Sequence, residues 1–159
     1  MDKSALRTAI LARLEAELAL QTAAAEASRD DATDADSRAE GKFDMRGQSS
    51  AYLAAGQAQL ATDIAEALAA YQALAWRAFA PDEAIALGAL ASLEAGGQRA
   101  AYFLGPARGG LEVEIGGAGV TVITPASTLG RALVGRRRGE TISLPGRGGP
   151  VIHAVTLVE

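Results

Sequence analysis

The sequence predicts an α+β protein: an N-terminal antiparallel helical hairpin of the coiled-coil type, then a small, mostly antiparallel β domain with one short helix. Two observations carry this. Apolar residues recur at heptad spacing in two segments of the first half. Short β-branched runs separated by glycine signals follow in the second half. Pro81, in the segment RAFAPD at 77–82, marks the boundary. We therefore expect domains at 1–78 and 79–159.

The first half contains two helical seams. The first comprises Leu11, Leu14, Leu18, Gln21 and Ala25. The second comprises Leu53, Leu60, Ala67 and Leu74, with Ile64 and Tyr71 in the intervening positions. Two seams joined by a polar stretch predict a hairpin with arms of about 30 residues, each about 45 Å long. The alternative is that both helices pack on the C-terminal domain as a bundle.

The stretch between the arms, residues 28–47, is polar and contains six acids and four bases. Four of its acids cluster at the predicted tip of the hairpin: Asp30, Asp31, Asp34 and Asp36. Ser37 and Glu40 have the spacing of a capping box, which predicts that the second arm starts there. The tip is open to two interpretations: a set of carboxylates that hold a metal, or a solvated acidic loop with a helix cap.

The second half predicts a series of short strands: 85–93, 99–104, 111–115, two around Val120 and Ile142, and 153–158. Thr124 and Pro125 end the strand around Val120, because proline has no N–H for the ladder. Ser127 or Thr128 can cap a short helix after it. Leu129, Ala132 and Leu133 are predicted to share one face of that helix, and Gly135 ends it. Trp76 and Phe79, at the boundary, are expected to pack the hairpin against this domain.

Composition excludes several classes of protein. The chain has no cysteine and one histidine, so a disulfide framework, a thiolate metal site and an ordinary Ser-His-Asp triad are excluded or disfavoured. Residues 1–80 hold twelve acids and eight bases, and this negative balance argues against general binding to duplex DNA. The N-terminus does not resemble a signal peptide, and no apolar run reaches membrane length. We expect a cytoplasmic protein without a membrane partner.

Three stretches resemble the Gre transcript-cleavage factors: ITPASTLGRALVG at 123–135, LEAGGQRAAYFLGP at 93–106, and KFDMRGQSSAYLAAGQAQLA at 42–61, which is similar to a divergent Gre-like branch. The resemblance extends along the whole chain. It implies a C-terminal domain that is FKBP-like and docks near the entrance of the secondary channel of bacterial RNA polymerase, with the hairpin reaching through the channel. It also implies a monomer that touches transcript and DNA only within the elongation complex, and that is not an enzyme on its own.

The resemblance also implies the site residues. Those that contact the polymerase are expected to be Pro125, Ser127, Thr128 and Leu129. Thr128 stands where many relatives have proline, which places the docking contacts in question. The resemblance implies no stably bound cofactor.

Relatives that stimulate cleavage carry an aspartate and a glutamate three residues apart, which hold Mg²⁺ together with the polymerase active site. The nearest match here is Asp31 with Asp34, supported by Asp30, Asp36 and Glu40. Carboxylate oxygens suit Mg²⁺, but aspartate is one methylene shorter than glutamate. Two functions therefore stay open: a cleavage-stimulating factor, and a channel regulator that does not support cleavage.

Two rival classes remain. An FKBP-like fold also suits a peptidyl-prolyl isomerase, although only 4% of the residues are aromatic and could line a proline pocket. A coiled-coil adaptor unrelated to transcription is the other.

Overall fold

The computed structural model describes residues 2–38, 45–146 and 148–159, and at positions 32, 34–38 and 45–48 it describes the backbone alone. Two long helices come first, α1 (Lys3–Arg38) and α2 (Met45–Ala73). The strands and the short helix follow in the order β1 (Leu90–Ala95), β2 (Gln98–Leu104), β3 (Glu112–Ile115), β4 (Ala118–Ile123), α3 (Thr128–Leu133), β5 (Thr141–Gly146) and β6 (Gly149–Val158). The predicted α+β class is confirmed.

The chain forms two compact units. The helical unit comprises residues 12–69, and the sheet unit comprises residues 1–11 together with 70–159. The division falls inside both helices, so the first turns of α1 and the last turn of α2 are counted with the sheet. Among the residues described, no helix is long and apolar enough to cross a membrane.

The helical unit has a thin core of small side chains. On α1, Leu14 and Ala25 are buried, as the first predicted seam requires, and Ser28 continues that face. The Ser28 hydroxyl bonds to the Gln57 side-chain amide over 2.8 Å and thereby links α1 to α2. The second predicted seam is right in most of its positions: Ile64, Ala67 and Tyr71 are buried, and Leu74 is half-buried.

The rest of that seam is wrong, because Leu53 and Leu60 are 56% and 47% exposed. Leu53 lies four residues before Gln57 and Leu60 three after it, so all three share one helix face. At this part of the face the hydrogen bond to α1 is made by the Gln57 side chain.

The predicted acidic loop is also corrected. The backbone of α1 is helical through Arg38, so Asp30, Asp31, Asp34 and Asp36 belong to its last turns. The alanines at 27, 32 and 35 explain the longer helix, since alanine has the strongest helix propensity. Ser37 lies inside α1 and does not start α2, which begins at Met45. Glu40 lies outside the described residues.

The sheet unit is built on one six-stranded sheet in the order β3-β4-β2-β1-β6-β5. Only the β2–β4 pair is parallel, and all other neighbouring pairs are antiparallel. Two predicted boundaries move. The strand predicted from Ile85 begins at Leu90, and the last strand begins at Gly149, four residues before the predicted start. Gly149 and Pro150 resemble a turn in sequence but pair with Gly146 and Pro145.

One core cluster lies on one face of the sheet. Its buried members include Phe79, Leu104, Leu133, Ile142 and Val155, with Leu129, Ala132 and Leu144 packed against them. The shared face predicted for α3 is thus confirmed. The opposite face is buried as well, at Leu90, Phe103 and Val122. Trp76 stacks on the Phe103 ring with centroids 5.0 Å apart. Trp76 also donates to the Tyr71 carbonyl over 3.1 Å, so this aromatic group is used in packing.

Candidate functional site

The first candidate element is the capped turn, which we define as residues 124–130. β4 ends at Ile123, and the Ser127 hydroxyl then does two things: it accepts from the Gly130 N–H at 3.0 Å and donates to the Thr124 carbonyl at 2.8 Å. Ser127 has extended backbone angles, φ −69° and ψ 158°, as an N-cap residue should. The sequence left Ser127 and Thr128 as alternative caps, and the structure selects Ser127.

Gly130 holds the capped turn against the end of β4. A Cβ atom at this position would lie 1.9 Å from the Thr124 carbonyl oxygen and 2.8 Å from its carbon. Both are backbone atoms, which cannot swing aside as a flexible side chain can. The glycine is therefore required by a close approach of two backbone segments.

The capped turn presents a small, nearly uncharged surface. Pro125, Ala126 and Thr128 are exposed, and Ser127 is half-buried. Leu129, which is also expected to contact the polymerase, is half-buried and packs against the core. Its place on the predicted apolar face of α3 explains this. Of the four residues predicted to bind the polymerase, Pro125 and Thr128 are therefore the most accessible.

A basic segment follows the capped turn. Residues 131–140 contain four arginines and one glutamate, a net charge of +3. Arg131 donates to the Ala126 carbonyl and so lies along the turn itself. Arg137 donates to the Asp82 carbonyl, and Arg136 lies 3.8 Å from the Glu140 carboxylate. All four arginines are exposed, so the segment suits an acidic partner surface.

The second candidate element is the acidic end of α1, which we define as residues 30–36. Asp30 and Asp31 are exposed, and the backbone is helical at Asp34 and Asp36. Residues three apart lie on one face of a helix, so Asp31 and Asp34 share a face. Acids near a helix C-terminus oppose the helix dipole and repel one another, at a few tenths of a kcal/mol each. Helix stability therefore does not account for this cluster.

Magnesium chemistry can be tested against these residues. Hard carboxylate oxygens are the donors that Mg²⁺ prefers, and two carboxylates on one helix face leave most of its six positions to other ligands. Within the described part of the chain, no group of three His, Cys, Asp or Glu side chains is placed to hold a metal ion. The donor type fits an ion whose remaining ligands come from another molecule.

Sequence reasoning missed one polar cluster in the sheet unit. The Lys3 ammonium donates to the carbonyls of Arg77 and Gly88, at 2.7 and 2.8 Å, and lies 4.6 Å from the centre of the Phe79 ring. Partial burial, followed by the nearby Arg77 charge, lowers the pKa of Lys3 to about 8. Arg77 also covers the Phe79 ring and pairs with Glu83. A single lysine 74 residues from its partner leaves no signal in a sequence.

Tyr71 and Gly105 form a second contact that the sequence did not reveal. The Tyr71 hydroxyl donates to the Ala107 carbonyl at 2.9 Å, and a Cβ at Gly105 would lie 2.2 Å from that hydroxyl oxygen. Burial raises the pKa of Tyr71, since its ionised form would be desolvated. This fit holds the last turn of α2 against the loop at residues 105–107.

The fold and these elements define an α+β protein with a capped turn and basic segment in its sheet unit and an acidic helix end in its helical unit. No family model matches the chain, and no curated protein matches it. The chain is similar to solved structures of other proteins. Two of these are structures of GreA factor homolog 1 (Gfh1), and a third is of a transcription elongation factor GreA/GreB.

The Gfh1 of Thermus thermophilus is 21% identical, with 94% of each chain covered and a TM-score of 0.39. That of Thermus aquaticus is 21% identical over 92% of each chain, with a TM-score of 0.41. The GreA/GreB factor of Nitrosomonas europaea is 18% identical over 65% of this chain and 78% of its own, with a TM-score of 0.39. Likeness at this level decides neither the family nor the function of this chain.

Proposed function

We propose that this chain is a Gre-type transcription elongation factor that binds bacterial RNA polymerase at the secondary channel and modulates elongation. One observation carries the proposal. The stretch at 123–135, which resembles the Gre C-terminal domain, forms a strand end, a Ser127-capped helix and a glycine contact at Gly130. A serine cap and a glycine at that spacing serve a defined surface turn, and its exposed residues suit a protein partner.

The opposite charges of the two units support different roles for them in this proposal. The basic segment at 131–140 suits an acidic docking surface on the polymerase, while the acidic end of α1 suits a metal-containing centre. In this proposal Pro125 and Thr128 contact the polymerase, and Ser127 shapes the turn. Leu129 acts through packing, since it lies against the core.

In the cleavage form of this function, Asp31 and Asp34 would hold Mg²⁺ in the polymerase active site. When bound, the ion would supply charge stabilisation to the phosphodiester that is hydrolysed. The carboxylates of this chain orient the ion, and the polymerase performs the hydrolysis. Asp30, Asp36 and Glu40 add negative charge that attracts the cation.

A second candidate function is a channel regulator that does not support cleavage. The observation in its favour is the residue type at the acidic end of α1. Asp31 and Asp34 replace an aspartate–glutamate pair, and the missing methylene shortens the reach of one carboxylate.

Docking is tested by Thr128→Asp. An acid in the first turn of α3 favours the helix dipole, so the sheet unit should keep its stability. The same charge opposes an acidic partner, and we expect polymerase affinity to fall at least about 10-fold, or roughly 1.4 kcal/mol. Gln98→Asp, at an exposed position of β2, is the matched control. Unchanged affinity of Thr128→Asp, measured by fluorescence anisotropy with purified polymerase, would exclude the capped turn as the docking site.

Cleavage is tested with polymerase stalled in a backtracked complex, by following transcript length after the protein is added. Shortening that is lost in Asp31→Asn and Asp34→Asn, but kept in Asp63→Asn on the exposed side of α2, identifies a cleavage factor and its ligands. Binding without shortening identifies the channel regulator. Absence of binding refutes both functions.

A further inference from the structure

The strand β5 is an edge of the six-stranded sheet that carries no charged side chain. The sheet order places β3 at one edge and β5 at the other. β3 has two exposed acids, Glu112 and Glu114, and charges on an edge strand discourage pairing with another chain. β5 instead presents the exposed, uncharged side chains of Thr141 and Ser143. The two edges therefore differ in how readily a further strand can add to them.

The register of the β5–β6 pair shows which backbone groups of β5 point away from the sheet. Successive residues of an antiparallel strand alternate between bonding to the partner strand and facing the other way. Pro145 pairs with Pro150, and neither has an N–H to exchange, so Pro145 belongs to the outward-facing set. Ser143 and Thr141 lie two and four residues before Pro145 and belong to the same set. In the described part of the chain, the backbone of these two residues makes no hydrogen bond outside the β5–β6 pair.

An apolar groove of about 370 Å³ lies at the same edge. Consecutive residues of β5, at 143–146, line it together with Gly149 and Pro150 of β6. None of these lining residues is charged. Side chains of an added strand alternate between the two faces of the sheet, and a pocket beside the edge can take one of them. The edge thus offers both backbone partners and an apolar side-chain site.

The charges next to β5 indicate the chemistry of the added strand. Residues 131–150 contain five arginines and a single acid, Glu140, which gives a net charge of +4. Arg136, Arg137 and Arg138 are exposed shortly before β5 begins. The Glu140 N–H donates to the Arg137 carbonyl at 3.1 Å and closes a turn with Arg138 inside it. A strand with acids at this end would be attracted to the exposed arginines.

Other occupants fit these features less well. A second copy of the chain that paired its own β5 here would bring the same excess of arginine, and like charges repel. A nucleic acid would be attracted to the arginines. Its phosphates only accept hydrogen bonds, however, so they leave the outward carbonyls of β5 without donors. An extended peptide supplies donors and acceptors in alternation.

We propose that the open edge of β5 binds an extended acidic segment of another protein, which adds to the sheet as a further strand. Its backbone pairs with Thr141 and Ser143, one apolar side chain enters the groove at 143–146, and its acids lie beside the arginines at 136–138. The inference goes beyond the proposed function and does not depend on it, because a synthetic peptide tests it without polymerase.

Amide hydrogen exchange of the full chain, followed residue by residue by NMR, tests the edge. In the free protein, the N–H groups of Thr141 and Ser143 should exchange faster than those of Ile142 and Leu144, which face β6 in the alternating register. The probe is a peptide of alternating valine and threonine with a run of glutamates at one end. A second probe carries the glutamates at the other end, so both strand directions are tested.

Binding should protect alternate residues of β5. With a probe at about four times its dissociation constant, exchange at Thr141 and Ser143 should slow about 5-fold, while Ile142 and Leu144 change little. The matched control probe keeps the glutamates and has proline in place of each valine, so it cannot form the same backbone hydrogen bonds. It should leave exchange at Thr141 and Ser143 unchanged.

A charge reversal tests the arginines. Arg138→Glu changes an exposed turn residue and should weaken binding of the probe about 5-fold. Arg7→Glu is the matched control, because it makes the same change of charge at an exposed position of α1 and should bind the probe as the parent does.

Four results would overturn the inference. The first is slow exchange of Thr141 and Ser143 in the free protein, since the edge would then be closed. The second is no change with either probe up to about 2 mM, beyond the range of weak specific complexes. The third is protection that grows with protein concentration in the absence of a probe, which would assign the edge to a second copy. The fourth is binding of single-stranded RNA that is lost in Arg138→Glu while neither probe binds, which would assign this surface to nucleic acid.

Discussion

The two units use glycine in opposite ways. In the sheet unit, Gly105 and Gly130 each admit a neighbouring group that a Cβ would strike, at 2.2 and 1.9 Å. In the helical unit, Gly56 faces open space. The sheet unit is closed around particular contacts within one copy of the chain. The helical unit has a thin core and leaves Leu53 and Leu60 exposed, so no comparable close contact surrounds its glycine.

Among the substitutions that test this contrast, Gly130→Ala is expected to have the largest effect on the free energy of unfolding. The new methyl group would strike the Thr124 carbonyl, and either β4 or α3 must move. We expect a loss of about 3 kcal/mol in the free energy of unfolding, at the upper end for overpacking. Urea denaturation measures it. Gly119→Ala, on β4 with nothing within 4 Å of its built Cβ, should change stability by less than about 1 kcal/mol.

An intermediate effect is expected at the contact between Gly105 and Tyr71. Gly105→Ala should cost about 2 kcal/mol, because the methyl group displaces the Tyr71 hydroxyl from the Ala107 carbonyl. Tyr71→Phe alone should cost about 1 kcal/mol for the lost hydrogen bond.

The combined variant sharpens that prediction. With the hydroxyl removed, the Cβ at residue 105 has only the ring carbon at 3.0 Å and Val122 at 3.1 Å to accommodate. The double variant should therefore be more stable than the sum of the single effects, by about 1 kcal/mol. Strict additivity in the double-mutant cycle would contradict the geometry.

Local signals predicted the sheet unit well. In residues 120–135 a strand is followed by a proline, a serine N-cap and a glycine. Each of these features depends on residues close together in the sequence and on their backbone preferences, so each could be predicted. The residues of α2 that contact α1 near Gln57 could not be predicted in this way. A hydrophobic pattern predicts burial for Leu53 and Leu60 and exposure for Gln57. In the structure the Gln57 side chain is hydrogen-bonded to Ser28, and the two leucines are exposed.

The candidate site was predicted in residue type and only partly in geometry. Pro125 and Thr128 are accessible. Leu129 belongs to both the predicted apolar face and the predicted docking set, and it is half-buried against the core. Its contact with the polymerase stays a prediction. The end of α1 was misplaced because aspartates suggest a loop, while the alanines between them extend the helix. Which acids hold a metal stays a prediction.

The smallest predicted effect concerns Lys3, whose amine belongs to the sheet unit although α1 extends into the helical one. Its pKa is lowered to about 8 in the folded chain from an ordinary 10.5. Between these values the unfolded chain holds a proton that the folded chain has released. Stability therefore rises with pH across this window and is lost again as pH falls toward 8. Lys3 is partly solvated, so the gain is on the order of 1 kcal/mol.

The difference in unfolding free energy between the parent and Lys3→Met, measured at about pH 7.5 and about pH 9.5, isolates this effect because these values bracket the folded pKa. The free energy of unfolding of the parent should increase relative to that of Lys3→Met as pH rises. Tyr71 does not interfere below its ordinary pKa of 10.0, because its pKa is raised and the phenol stays protonated in both states. The lost hydrogen bonds to Arg77 and Gly88 add a constant offset, which cancels in the comparison. A difference that does not change with pH would mean that Lys3 keeps an ordinary pKa. The two carbonyls and the Phe79 ring would then offset the cost of desolvating its ammonium.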